Sequence, residues 1–287
     1  MRRAEGSVRS GGFQLDFRVR RFVTILFVLA AAGASGLWLT GRGSHTLTPP
    51  AGTVSAPADS DSYVYLGGED NHSASYLWPV LGTYLSDVPT GARVLDLGSG
   101  SGDLLASFGN RQWDRVGVDI SRTGVEIARR THSGITFFEG DATGDLTGLV
   151  GASTFDVVVS TETLEHVMLP RRFLHNAFLV LKPGGRLVLS VPYHGYLKNL
   201  AIALGGDSDQ HFDSLTDWGH IKFYSVASLS TLLWEAGFER LEYQGAGRFP
   251  YLWKSMVFVG WKPTTRQGLT PSGSSAAATP AAAARPR

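Results

Sequence analysis

Between residues 93 and 191, short apolar, β-branched runs alternate with segments that suit helices, and few folds tolerate that rhythm. The runs lie at 93–97, 115–118, 135–138, 155–160 and 185–191, with helix-compatible stretches such as 125–130 and 171–181 between them. Strands that take turns with helices pair in parallel, because each crossover needs an element long enough to return the chain to the same edge. Two further runs, at 240–244 and 256–261, have no helix between them and are expected to pair antiparallel. Ahead of the first strand, Leu77, Val80, Leu81, Tyr84 and Leu85 recur at helical spacing. Near the end, Ser225 can cap a helix that turns Leu229, Leu232, Leu233 and Trp234 inward and stops at Gly237.

The flanks read differently. Residues 1–21 carry Arg2, Arg3, Arg9, Arg18, Arg20 and Arg21 against Glu5 and Asp16, and residues 22–39 contain nothing ionisable. At about 1.5 Å per helical residue that run just reaches across a bilayer core of roughly 30 Å. Three readings stand: a membrane anchor, a secretory signal segment, and a mis-assigned start codon. Residues 40–60 are rich in Pro, Gly, Ser and Thr, as a flexible linker is, and the Ala/Pro/Ser-rich tail at 264–287 is expected to be disordered. Residues 61–263 then form one domain. The chain has no cysteine, which excludes disulfides, thiolate metal sites and a cysteine nucleophile, and its net charge of +1 gives no overall field for nucleic acid.

The strongest chemical signal is Val94-Leu95-Asp96-Leu97-Gly98-Ser99-Gly100-Ser101-Gly102-Asp103. A strand runs into a turn whose glycines let the backbone approach a ligand, and a helix follows. Asp119 ends the next strand, where a carboxylate can take both hydrogen bonds of a ribose diol, and Asp141, beside Ala142, ends the third, in reach of an adenine amino group. An acid at the loop suits a cationic ligand, whereas phosphate binders want cations or bare amides. The dinucleotide pattern Gly-x-Gly-x-x-Gly fails because the third glycine comes one position early, at Gly102, and a Gly-x-Ser-x-Gly elbow fails because Gly100 stands at the serine position.

From about Val94 to Gly237 these residues resemble the class I S-adenosylmethionine-dependent methyltransferases. The resemblance implies a doubly wound, Rossmann-like α/β fold with a seven-stranded sheet, its last strand antiparallel, and helices on both faces. It implies that Asp96, Gly98, Ser99, Gly100 and Gly102 hold the methionine part of the cofactor, Asp119 with Ile120 the ribose side, and Asp141 with Ala142 the adenine, with Thr161 nearby. The turn Leu181-Lys182-Pro183-Gly184-Gly185 is a further mark of that family.

At the end of the fourth strand stands Ser160-Thr161-Glu162-Thr163-Leu164-Glu165-His166-Val167. Methylation of a hydroxyl needs its proton removed, which a histidine or a carboxylate-bound cation can do. The Glu-x-x-Glu-His pattern is similar to that of ubiquinone-biosynthesis O-methyltransferases, and the similarity implies Glu162, Glu165 and His166 as ligands of Mg2+. Beyond the fifth strand, residues 192–224 bring aromatic and histidine residues that suit an aromatic or lipid-like small-molecule acceptor, with His220 as a second candidate base. The expected function is methyl transfer from S-adenosyl-L-methionine to a small molecule, at oxygen. The alternatives are an NAD(P)-dependent oxidoreductase and a non-catalytic S-adenosylmethionine-binding module. The arginine-rich flank puts the amino end in the cytoplasm. The expected placement is a domain in the cytoplasm, membrane-associated through residues 22–39, or cytoplasmic and soluble if the start is mis-assigned.

Overall fold

The computed structural model describes residues 73–264 with the exception of Asp213; the expected basic segment, the apolar run at 22–39, the linker and the tail beyond 264 lie outside the described residues. Helix α1 (Ala74–Tyr84) leads into β1 (Arg93–Leu97), α2 (Asp103–Ser107), β2 (Asp114–Asp119), α3 (Arg122–Thr131), β3 (Thr136–Glu139), α4 (Leu146–Val150) and β4 (Phe155–Thr161). One 3₁₀ turn at Gly109–Arg111 lies before β2, and another at Leu164–His166 precedes α5 (Pro170–Val180), β5 (Leu181–Pro192), α6 (Tyr196–Gly205), α7 (Ser208–His211), α8 (Val226–Glu235), β6 (Glu239–Ala246) and β7 (Ser255–Trp261).

The seven strands form one sheet in the order β3-β2-β1-β4-β5-β7-β6, parallel from β3 to β5, with β7 antiparallel to both its neighbours. Side chains alternate across it as the strand period demands. Leu95, Leu97, Val158, Leu187 and Leu189 face one layer with Leu146 of α4, Phe173 of α5 and Leu229 of α8. Val94, Val157, Val159 and Val188 face the other with Leu77 of α1, Leu104 of α2 and Val125 of α3. Both faces are therefore dry, which is why the central strands read as continuous apolar runs. Strand order reverses between β1 and β4, and a crevice opens at the carboxyl ends of strands on either side of such a switch. There Ser160 Oγ donates to the Leu97 carbonyl at 2.7 Å and closes the seam.

Two details depart from the sequence reading. Lys182-Pro183-Gly184-Gly185 does not stand outside the fifth strand: Leu181 pairs with Phe155, the register shifts, and Arg186 pairs with Val157. Trp234 is 61 % exposed although placed on the inner face of its helix, because Leu229, Leu232 and Leu233 alone fill the buried stripe of α8. Ser225 does cap that helix, in a reciprocal pair with Ser228. Among the described residues no helix is long and apolar enough to cross a membrane.

Candidate active site

The turn from β1 into α2 puts Gly98, Gly100 and Gly102 at φ of +80°, +49° and +82°. Only glycine enters that region freely. Space adds to conformation, since a Cβ at Gly98 would strike the Thr163 side chain and one at Gly102 would strike the Phe137 ring. Asp119 clasps the turn from the end of β2: one carboxylate oxygen accepts from the Gly100 amide at 2.8 Å, the other from the Ser121 amide at 2.7 Å. Each oxygen keeps a further acceptor direction. Asp96 is buried beside it, and its Oδ1 has no hydrogen-bond partner, as is also true of Ser99 Oγ. Burial first, and the neighbouring Asp119 second, push the Asp96 carboxyl up to about 8. In its ionised form a buried carboxylate with an unpartnered oxygen calls for a cation, and the ammonium and sulfonium of S-adenosylmethionine fit that need.

The adenine side is more open. Asp141 lies two residues beyond β3, exposed, and accepts from the Thr143 amide at 2.7 Å and the Thr143 hydroxyl at 2.8 Å. Ala142 is positioned by Asn176, whose amide donates to the Ala142 and Gly144 carbonyls at 2.8 Å each. Ile120 stands exposed at the rim, and Thr161 closes β4 with its carbonyl accepting from Thr163 Oγ1 at 3.0 Å.

The second constellation is built by two segments that meet. The amides of Ile221 and Lys222 both donate to the Glu165 carbonyl, at 2.9 and 3.0 Å, clamping the 218–222 loop onto the 3₁₀ turn. His166 Nδ1 lies 2.8 Å from the Trp218 carbonyl oxygen and 3.1 Å from that of Gly219. Carbonyls only accept, so Nδ1 carries the proton, and in the neutral tautomer this leaves Nε2 as the bare nitrogen. The His220 ring meets His166 edge-on with centroids 4.8 Å apart. Both Nε2 atoms lie 3.9 Å from Glu165 Oε1. Glu165 is completely buried and neither carboxylate oxygen has a hydrogen-bond partner. Burial pushes its carboxyl well up, while burial and the adjacent His166 pull the His220 imidazole down.

Glu162 does not join this group, contrary to its expected place beside Glu165 and His166. Its carboxylate turns toward the β5–β7 side, accepting from Ser190 Oγ at 2.8 Å and Ser255 Oγ at 3.0 Å, with Tyr76 Oη 3.3 Å from Ser255. The cause is topological: the antiparallel β7 brings its first residue, Ser255, to the same edge as the carboxyl end of β5. Sequence reasoning missed Ser190 and Ser255, although a hydroxyl inside an otherwise apolar strand signals a buried polar contact. It also passed over Lys198, a buried amine that burial pulls down to about 8 and whose Nζ donates to the Lys254 carbonyl at 3.2 Å. In the insertion, His194, Phe212 and Phe223 form an aromatic cluster, while Tyr196, Leu200, Trp218 and Ile221 remain exposed.

Comparison with known proteins agrees with this geometry. A family model described as a methyltransferase domain matches residues 71–243. A mitochondrial ubiquinone biosynthesis O-methyltransferase of Schizosaccharomyces pombe is 38 % identical over 104 residues, 35 % of this chain and 38 % of that protein. A ubiquinone biosynthesis O-methyltransferase of Cereibacter sphaeroides is 30 % identical over 168 residues, 57 % of this chain and 66 % of the relative. The chain thus spans between 38 % and 66 % of the length of these two relatives. Among solved structures, the complex of the Haloferax volcanii Trm112 methyltransferase activator with a putative methyltransferase aligns with a TM-score of 0.53 at 21 % identity, covering 67 % of this chain and 91 % of that one. That likeness concerns the fold. With its reversed seventh strand, its acid-flanked glycine turn and a family match over most of the described residues, the chain belongs to the methyltransferase-domain family of S-adenosylmethionine-dependent enzymes.

Proposed function

We propose that this protein methylates a hydroxyl group on an aromatic, quinone-type small molecule. S-adenosylmethionine, when bound, supplies an electrophilic methyl group carried on a positively charged sulfur. Asp96 and the Gly98–Gly102 turn are the residues that would hold its amino-acid end, Asp119 its ribose, and Asp141 with Ala142 its adenine. A hydroxyl becomes an effective acceptor only as its proton leaves, and the bare Nε2 of His166, or His220 beside it, is placed to take that proton. The Glu165 carbonyl, which accepts from the Ile221 and Lys222 amides, holds the two histidine-bearing segments together. The observation that carries the reading is the Nδ1 contact of His166 with the Trp218 carbonyl, because it leaves Nε2 as the nitrogen that can act as a base.

The acceptor class draws on relatives whose names refer to ubiquinone and demethylmenaquinone, and on the exposed apolar side chains around the histidines. Family membership removes the nicotinamide oxidoreductase alternative. Residues 22–39 would hold the domain beside a membrane, where such acceptors dissolve; vesicle flotation of the full chain tests this, and full recovery in the soluble fraction would refute it. For the reaction itself, the full chain is incubated with methyl-labelled donor and a panel of catechols, hydroxyquinones, amines and carbon acids. Label on an aromatic oxygen is the expected product. Label on nitrogen or carbon alone would overturn the oxygen assignment, and donor binding without any product would mean a non-catalytic module.

A further inference from the structure

We propose that Lys198 is the acceptor-recognition residue of this protein, and that the acceptor carries a carboxylate in addition to the hydroxyl that is methylated. This role rests on the proposed function, which puts the acceptor's hydroxyl at His166 and His220.

Lys198 lies in the first turn of α6, which begins just beyond β5 at the carboxyl edge of the sheet, where ligands of such folds sit. The short segment between β5 and α6 is laced to the stretch that follows His220: Tyr193 pairs with Tyr224, and the His194 amide donates to the Tyr224 carbonyl at 3.1 Å. The Lys198 ammonium is felt on both sides of this seam. Burial first, and the Lys198 charge second, pull the His194 imidazole down to about 4, while burial, His166 and Lys198, in that order, lower that of His220. Lys198 therefore stands in the neighbourhood of the candidate bases, not on a remote face.

Its own charge is poorly met. The residue is 9 % exposed, and among the described residues its Nζ has one hydrogen-bond acceptor, the Lys254 carbonyl at 3.2 Å. An ammonium has three N–H donors, so two are left. Glu162, the acid within its electrostatic reach, is engaged by Ser190 and Ser255, and no ion pair joins it to Lys198 among the described residues. Other neighbours add to the deficit. Burial first, and the Arg248 charge second, draw the Lys198 amine down to about 8. A cation in the first turn of a helix also meets the positive end of the helix dipole, and the N-cap, Gly195, has no side chain to take up the first-turn amides. A buried ammonium in these surroundings is costly unless an anion completes it. A carboxylate matches the vacancy in kind: two oxygens for two N–H donors, and one negative charge for one positive. The aromatic cluster of His194, Phe212 and Phe223 supplies an apolar wall for the ring that bears it.

The test uses the full chain saturated with S-adenosylhomocysteine, so that binding is read without turnover. Two probes that differ in one anionic group, 3,4-dihydroxybenzoate and 4-methylcatechol, are titrated by calorimetry at pH 7. The acid is expected to bind at least about tenfold more tightly. Lys198→Met should abolish that preference while leaving 4-methylcatechol within about twofold, and Lys198→Arg should retain part of it. Lys254→Gln removes an exposed ammonium 5.0 Å from the Tyr76 ring and should leave the preference within about twofold, which separates a local contact from overall charge. With labelled donor, Lys198→Met should raise KM for the acid at least about tenfold and keep kcat within about threefold. S-adenosylhomocysteine binding checks that each variant folds; if Lys198→Met does not, Lys198→Gln and the preference of the unaltered chain decide. Equal affinity of the unaltered chain for the two probes, or a preference that survives loss of the Lys198 charge, would overturn this proposal alone. Equal weakening of both probes in a folded Lys198→Met would also overturn it and leave Lys198 as a latch to the Lys254 carbonyl. Failure of both probes to bind would overturn it together with the aromatic-hydroxyl reading.

Discussion

The side chain of Thr163 occupies the space that a Cβ on Gly98 would need. The cofactor turn after β1 and the segment after β4 are therefore packed against each other at the switch point, and neither can be altered alone. Gly98→Ala combines that clash with a left-handed φ of +80° and should destabilise the domain by about 2–3 kcal/mol. Adding Thr163→Ala should recover roughly half, leaving about 1 kcal/mol of backbone cost. Urea unfolding of the two single variants and the double variant measures the coupling; strict additivity would show that the contact does not matter.

His166 offers a cleaner separation of structure from chemistry. Asparagine places an amide donor near the position of Nδ1 and nothing at Nε2, so His166→Asn can keep the Trp218 contact while removing Nε2. Methyl transfer should fall by about 10²–10⁴-fold with little change in melting temperature. His166→Ala should lose the same activity and roughly 1 kcal/mol of stability besides. A His166→Asn enzyme with ordinary turnover would show that Nε2 takes no part in the reaction.

What the sequence made legible was local. The bounds of β1 follow from an apolar run between Arg93 and Gly98, and the glycine turn with Asp96 and Asp119 follows from turn chemistry and strand ends. The fifth strand extends farther because Leu181 already pairs with Phe155, ahead of a register shift that skips Lys182, Pro183, Gly184 and Gly185 before Arg186 pairs with Val157. At the site, sequence spacing grouped Glu162 with Glu165 and His166, whereas the fold replaces Glu162 with His220. That exchange depends on backbone bonds between Glu165 and the 221–222 amides, contacts between distant loops that no local pattern encodes. The partners of Glu162 were hidden for a related reason: Ser255 reaches the carboxyl edge only because β7 runs backward.

The network around Glu162 should behave as structure rather than as chemistry. Ser190→Ala and Ser255→Ala each remove one donor to a buried carboxylate and should cost about 1.5–3 kcal/mol in chemical denaturation. Tyr76→Phe removes a longer contact of 3.3 Å and should cost less, about 0.5 kcal/mol. If Tyr76→Phe proved the most damaging of the three, the hydrogen-bond order described above would be wrong.

Asp96 ties stability, pH and cofactor affinity together. Its carboxyl is raised from an ordinary 3.8 to about 8 by burial and by Asp119. Between those values the folded protein holds a proton that the unfolded chain has lost, so this group's contribution to stability is present at low pH and declines as pH rises toward 8. Each pH unit in that window removes at most about 1.4 kcal/mol. Asp96→Asn cannot ionise, so it should melt at a higher temperature than the unaltered protein at pH 8 and closer to it at pH 5. The same substitution should weaken S-adenosylmethionine binding at pH 8 by tenfold or more, by about the energy of one charge-assisted contact. Because a cation favours the ionised carboxylate, binding at pH 7 should release a proton from the unaltered protein and none from Asp96→Asn. Calorimetry in buffers of different ionisation enthalpy counts that proton; equal heats across buffers for the unaltered protein would show that Asp96 is not the group that meets the cation.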